Sequence, residues 1–86
     1  MPEISRFYGI VVRLFYGDHL PPHFHAEYGE DEVLIAIENL AAIAGRLPPR
    51  AMGLLIEWAA LHQTELMLQW ERVRQLEFPS RIDPLP

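Results

Sequence analysis

Apolar and polar positions alternate through the first half of the chain and then change period. "YGIVVRLFYGD", residues 8–18, is rich in β-branched and aromatic side chains and stops at Gly17-Asp18, which predicts a first strand ending in a turn. Pro21 and Pro22 cannot donate ladder hydrogen bonds and belong to the connection. A second strand is predicted from about His23 to Tyr28, followed by turn chemistry at Gly29-Glu30-Asp31. "EVLIAIE" from Glu32 supplies a third, and "LAAIAG", after a tight turn at Glu38-Asn39, a short fourth stopped by Gly45. Consecutive strands with short connections make an antiparallel meander.

After Leu47 the pattern becomes helical. Pro48-Pro49 suits a first turn, where the missing N–H groups are not needed. From Arg50 to about Gln75 there is no proline, and good helix formers predominate. At 3.6 residues per turn, Gly53, Glu57, Thr64, Glu71 and Gln75 form a polar stripe. Ala51, Leu55, Trp58, Ala59, His62, Leu66, Trp70 and Val73 lie opposite it. The predicted fold is α+β: an antiparallel sheet of three to four strands packed on one long C-terminal helix, about 37 Å in length. One domain spans residues 1–86, with the sheet at about 5–46, the helix at about 48–75 and an extended, proline-rich tail at 76–86. Trp58 is expected in the core, and Trp70 to matter less because the helix is leaving the sheet there.

Alternate side chains of a strand share a face. Phe24, Ala26 and Tyr28 therefore meet the helix, together with Ile10, Val12, Leu14, Val33, Ile35 and Ile37. The outer face then holds Arg13, His23, His25, Glu27 and Glu32 among Val11, Phe15 and Leu34. That mixture of imidazole, charge and exposed apolar groups suits a surface covered by a partner.

Composition narrows the choices. A chain of 86 residues has a thin core, and half of its residues are apolar, so some apolar surface is available for another chain. It has no cysteine, which removes disulfides and thiolate metal sites and is compatible with the cytoplasm. The first residues lack the pattern of a signal peptide, and no apolar run is long enough for a membrane span. The net charge of −5 argues against broad electrostatic binding of nucleic acid, which depends on clustered Lys and Arg. The seven basic residues are all arginine and are scattered.

"PPHFHAEYG", residues 21–29, carries the candidate chemistry. His23 and His25 at i and i+2, with Glu27 at i+4, offer N and O ligands for zinc, nickel or copper. The run lacks a second ligand group at a diagnostic spacing, which weighs against metal, and no cofactor is assigned. His62 is the natural candidate for such a group, but it lies on the helix face from which His23 and His25 point away. Two imidazoles near Arg13 could instead serve as acid and base in metal-free RNA cleavage. Partner contact is a third use, and cross-strand packing with Arg13 paired to Glu27 is the most economical one. Asp18 and His19 could bring a carboxylate and an imidazole to the strand end, although a turn-capping role accounts for Asp18 more simply.

At "ISRFYGI", "PPHFHAEYG", "LPPRA" and "EWAALHQTEL" the chain resembles a bacterial family, domain of unknown function four thousand one hundred and sixty. The resemblance spans residues 1 to about 75, with His23, His25, Glu27, Arg50 and His62 inside the four blocks. Members of that family are often encoded beside a second small protein, an arrangement interpreted as a toxin–antitoxin pair. The resemblance thus implies a small cytoplasmic protein-interaction component of a toxin–antitoxin-like pair. From the residues, binding uses the outer sheet face, through Val11, Arg13, Phe15, His23, His25, Glu27 and Leu34. Self-association into a homo-oligomer and a small cognate protein are the expected partners. The alternative is a small ribonuclease or metal-dependent hydrolase using His23 and His25, with Arg13 as a further catalytic candidate.

Overall fold

The computed structural model describes residues 2–86. Five strands run as an antiparallel meander, each beside its sequence neighbours: β1 (Glu3–Phe7), β2 (Ile10–Arg13), β3 (His23–Tyr28), β4 (Asp31–Ala36) and β5 (Ala42–Gly45). Two helices follow, α1 (Pro49–Leu61) and α2 (Gln63–Arg74). The class is α+β as expected, with one strand and one helix more than the alternation indicated.

The extra strand comes from "EISRF". Phe7 pairs with Ile10 across Tyr8 and Gly9, whose φ angles of 48° and 83° are both positive. Two left-handed residues form the hairpin turn whose twist matches antiparallel strands. Residues 8 and 9 are therefore a turn, although their composition alone suits a strand.

The inner face is the expected one for most of its length. Ile10, Val12, Leu14, Phe24, Ala26, Val33, Ile35 and Ile37 are buried, with Ala51, Leu55, Trp58 and Ala59 of α1 in the same core. The Trp58 ring stands 5.1 Å from Phe7 and 6.0 Å from Phe24, and its Nε1 donates to the Asp83 carbonyl at 2.8 Å. Tyr28 departs from the expectation. It remains 37% exposed at the end of β3, its ring lying over Gly9, where a Cβ would press on it.

The predicted single helix divides at His62, whose φ of −123° takes it out of helical geometry. The Gln63 side chain donates to the Ile37 and Glu38 carbonyls at 2.6 and 2.8 Å and ties the break to the end of β4. His62 stacks near Trp58 and meets Glu65 at 2.6 Å. These local bonds offset the lost helical geometry, and the break re-aims α2. Trp70, only 2% exposed, lies 5.4 Å from the His23 ring and covers the row in which His23 pairs with Ala36. Trp70 is thus a core residue, contrary to the expectation from the helix's direction.

The tail has no regular structure, as its prolines dictate, but it is fastened down. Ile82 N–H donates to Ile4 O at 2.7 Å, and Ser5 Oγ donates to Ile82 O at 3.0 Å. Ile82 and Leu85 are buried. The free edge of β1 is closed by this return, which meets the need to protect an edge strand. Among the described residues, no helix is long and apolar enough to cross a membrane.

Candidate functional site

The loop between β2 and β3 folds Asp18 back over the first residues of β3. Its Oδ2 stands 2.9 Å from His23 Nε2 and 2.9 Å from His25 Nε2. One carboxylate oxygen thus gathers both imidazoles. His23 takes the expected face but is not open to solvent there. It is 3% exposed, held beneath Trp70, whereas His25 keeps some access to solvent and packs its ring edge to Phe15 at 4.3 Å.

The outer nitrogens are fixed as well. His23 Nδ1 lies 2.7 Å from the Pro21 carbonyl, which can only accept, so Nδ1 carries the proton. In a neutral ring His23 Nε2 is then a bare lone pair. It is buried, and its approach to Asp18 lacks hydrogen-bond geometry. His25 sits between two carboxylates, with Nε2 on Asp18 and Nδ1 3.3 Å from Glu32 Oε2. Burial pushes the Asp18 carboxyl up. The hydrogen bond from His25, the electrostatic pull of the two imidazoles and a hydrogen bond from the His19 backbone outweigh burial and hold it below its ordinary value.

Glu27 does not join this group. It pairs with Arg13 at 3.3 Å, the cross-strand contact its position suggested, and lies across from Val11 and Glu32. Of the metal-ligand candidates His23, His25 and Glu27, against which the sequence weighed, only the two histidines come together, and the third group beside them is Asp18. His62 stays with Trp58 and Glu65. His19 is almost wholly exposed, with Nδ1 3.9 Å from Asp18 Oδ1. Of the expected partner-binding residues, Arg13, His25 and Leu34 share one row of the sheet, and Val11 and Glu27 the next. Val11, Arg13, Phe15, Glu27 and Leu34 are all half-buried on the sheet surface.

Beside the cluster is a cleft lined by Phe15, Gly17, Asp18, Trp70, Val73, Arg74 and Leu76. Leu76 in its wall and the residues around it carry two features that sequence reasoning missed. Leu76 and Phe78 are 76% and 78% exposed, and Tyr16, also exposed, donates its hydroxyl to Glu77 O at 3.4 Å between them. Leu76 also terminates α2 in the left-handed region, at φ 64°. Its N–H donates to Val73 O at 2.9 Å, and Glu77 N–H to Arg72 O at 2.8 Å, the paired bonds of a Schellman cap. Glycine ordinarily fills that position, because a side chain there costs about 1–2 kcal/mol. The only trace in the sequence is the lack of a glycine where the helix ends, "VRQLEF".

A family model described as Domain of unknown function (DUF4160) matches residues 9–71, and the chain belongs to that family. No curated protein and no solved structure matches it.

Proposed function

We propose that this member of the family is a protein-interaction component of a toxin–antitoxin-like pair in the cytoplasm. Its partner surface is the outer sheet face, extended over the cleft to Tyr16, Leu76 and Phe78. The observation that carries the reading is Leu76, a large apolar side chain that is both exposed and in a left-handed conformation. Glycine would relieve the strain and remove the exposed apolar area together. Keeping leucine there is physically unfavourable in the isolated chain and becomes favourable once a partner buries it. Phe15 and Arg74 in the cleft wall, with Val11 and Leu34 on the sheet, supply a mixed apolar and charged surface of the kind that protein contacts use. A homo-oligomer formed through this face belongs to the same reading.

Co-expression with candidate small proteins from neighbouring genes, followed by size-exclusion chromatography, tests it. Co-elution with the wild type, lost in Phe15→Glu and Leu76→Glu but kept in Leu61→Glu, is the expected result. Leu61, an exposed apolar side chain on α1, serves as the control. Co-elution that survives both cleft substitutions would place the contact elsewhere.

A second reading has its own observation, the convergence of His23 and His25 on Asp18 beside the cleft. In that reading the chain is a small hydrolase, a ribonuclease or a metal-dependent enzyme, with the imidazoles supplying proton transfer or ligation. Arg13, paired with Glu27, is less suited to the phosphate-stabilising role given to it. Turnover of RNA by the purified chain, measured with and without chelator, decides between catalysis and binding alone.

A further inference from the structure

We infer that Asp18, His23 and His25 form a site for one divalent transition-metal ion of the zinc class. Their ligand atoms all lie within 4.8 Å of one another, a spread that a single ion can draw together with bonds of about 2.0–2.2 Å. Two neutral imidazoles and one carboxylate suit zinc, cobalt, nickel or ferrous iron better than calcium or magnesium, which prefer all-oxygen sets.

The buried nitrogen of His23 is the independent evidence. Its ring is sealed beneath Trp70, and Nδ1–H is committed to the Pro21 carbonyl. Nε2 is left without a hydrogen-bond partner, next to a carboxylate oxygen that is itself an acceptor. An unsatisfied buried acceptor is costly, and two facing acceptors repel. A cation between them satisfies both. A bound ion would replace the Nε2–H that His25 donates to Asp18 Oδ2 at 2.9 Å and leave Nδ1–H to donate to Glu32 at 3.3 Å. Pro21 O and Glu32 are then the outer partners that fix the tautomers of two metal-bound histidines. Three protein ligands leave a coordination position open. The inference concerns binding alone and stands whether or not the interaction reading holds.

The test is titration of the metal-stripped full chain with Zn²⁺, followed by calorimetry, and with Co²⁺, followed by visible absorption. One equivalent of each ion should bind, and Co²⁺ should give the ligand-field bands of a site with nitrogen ligands. Glu32→Gln should weaken binding about 10- to 100-fold as an outer partner, and Asp18→Asn and His25→Gln should weaken it more. His62→Gln should leave it unchanged. His23→Gln is informative only if folded, so circular dichroism accompanies each variant, and the more accessible Asp18 and His25 carry the decision. Failure of the folded wild type to bind either ion would overturn the inference. So would binding that survives Asp18→Asn and His25→Gln together, or that is lost in His62→Gln.

Discussion

Glu3 and Arg81, near opposite ends of the chain, are joined by an ion pair of 3.0 Å that fastens the tail to β1. Arg6 binds the same carboxylate at 2.8 Å. Hydrogen bonds from Arg6 first, and then from Arg81, hold the Glu3 carboxyl down at about 2.

A carboxylate with a lowered folded-state pKa contributes stability above its ordinary pKa and loses it as pH falls through the folded value. Glu3 has an ordinary value of 4.5, so its contribution should disappear between about pH 4.5 and 2. Asp18, also lowered, acts in the same direction. The tail should therefore loosen on acidification before the sheet does. The protection of the Ile82 amide, bonded to Ile4 O, taken relative to its intrinsic exchange rate at each pH, should fall across that window while Phe24 and Ala26 stay protected. Glu3→Gln should remove the pH dependence at Ile82. Loss of protection in sheet and tail at the same pH would contradict the account.

Trp58 and Trp70 should prove comparably important. Each is essentially sealed from solvent, Trp58 among Phe7 and Phe24 and Trp70 against His23. Replacing either by alanine should cost about 3–5 kcal/mol, a large part of what holds a small domain together. Urea denaturation checks this, and a Trp70→Ala protein as stable as wild type would show that α2 does not seal the end of the sheet.

Much of this fold was legible in the sequence because period and burial agree. Every residue on the predicted polar stripe, Gly53, Glu57, Thr64, Glu71 and Gln75, is exposed. Pro49 begins α1, and Gly45 ends β5 at φ +71°, where a Cβ would strike the Glu32 carbonyl. The break at His62 was not legible, because no proline or glycine marks it and long-range bonds from Gln63 hold it. The cover over the His23 end of β3 is invisible for the same reason. Alternation says which side His23 takes, but not that a bent helix returns to cover it. Asp18 joined the site through a loop, and loop closure leaves no periodic signal for a sequence to show. Glu27 looked like a ligand only because strand spacing put it in line, and Arg13 across the ladder claimed it.

Under the proposed function, Leu76 stays at the end of α2 for a partner and at the expense of the isolated chain. Leu76→Gly separates the two directly, since it removes both the left-handed strain and the exposed side chain. Thermal denaturation of the free protein should show Leu76→Gly more stable than wild type by about 1 kcal/mol, as expected from relief of a left-handed side chain. Affinity for the partner found by co-expression, measured by calorimetry on the same preparations, should fall at least about tenfold, corresponding to about 1.4 kcal/mol. A glycine variant that gains stability and binds as tightly as wild type would contradict the account.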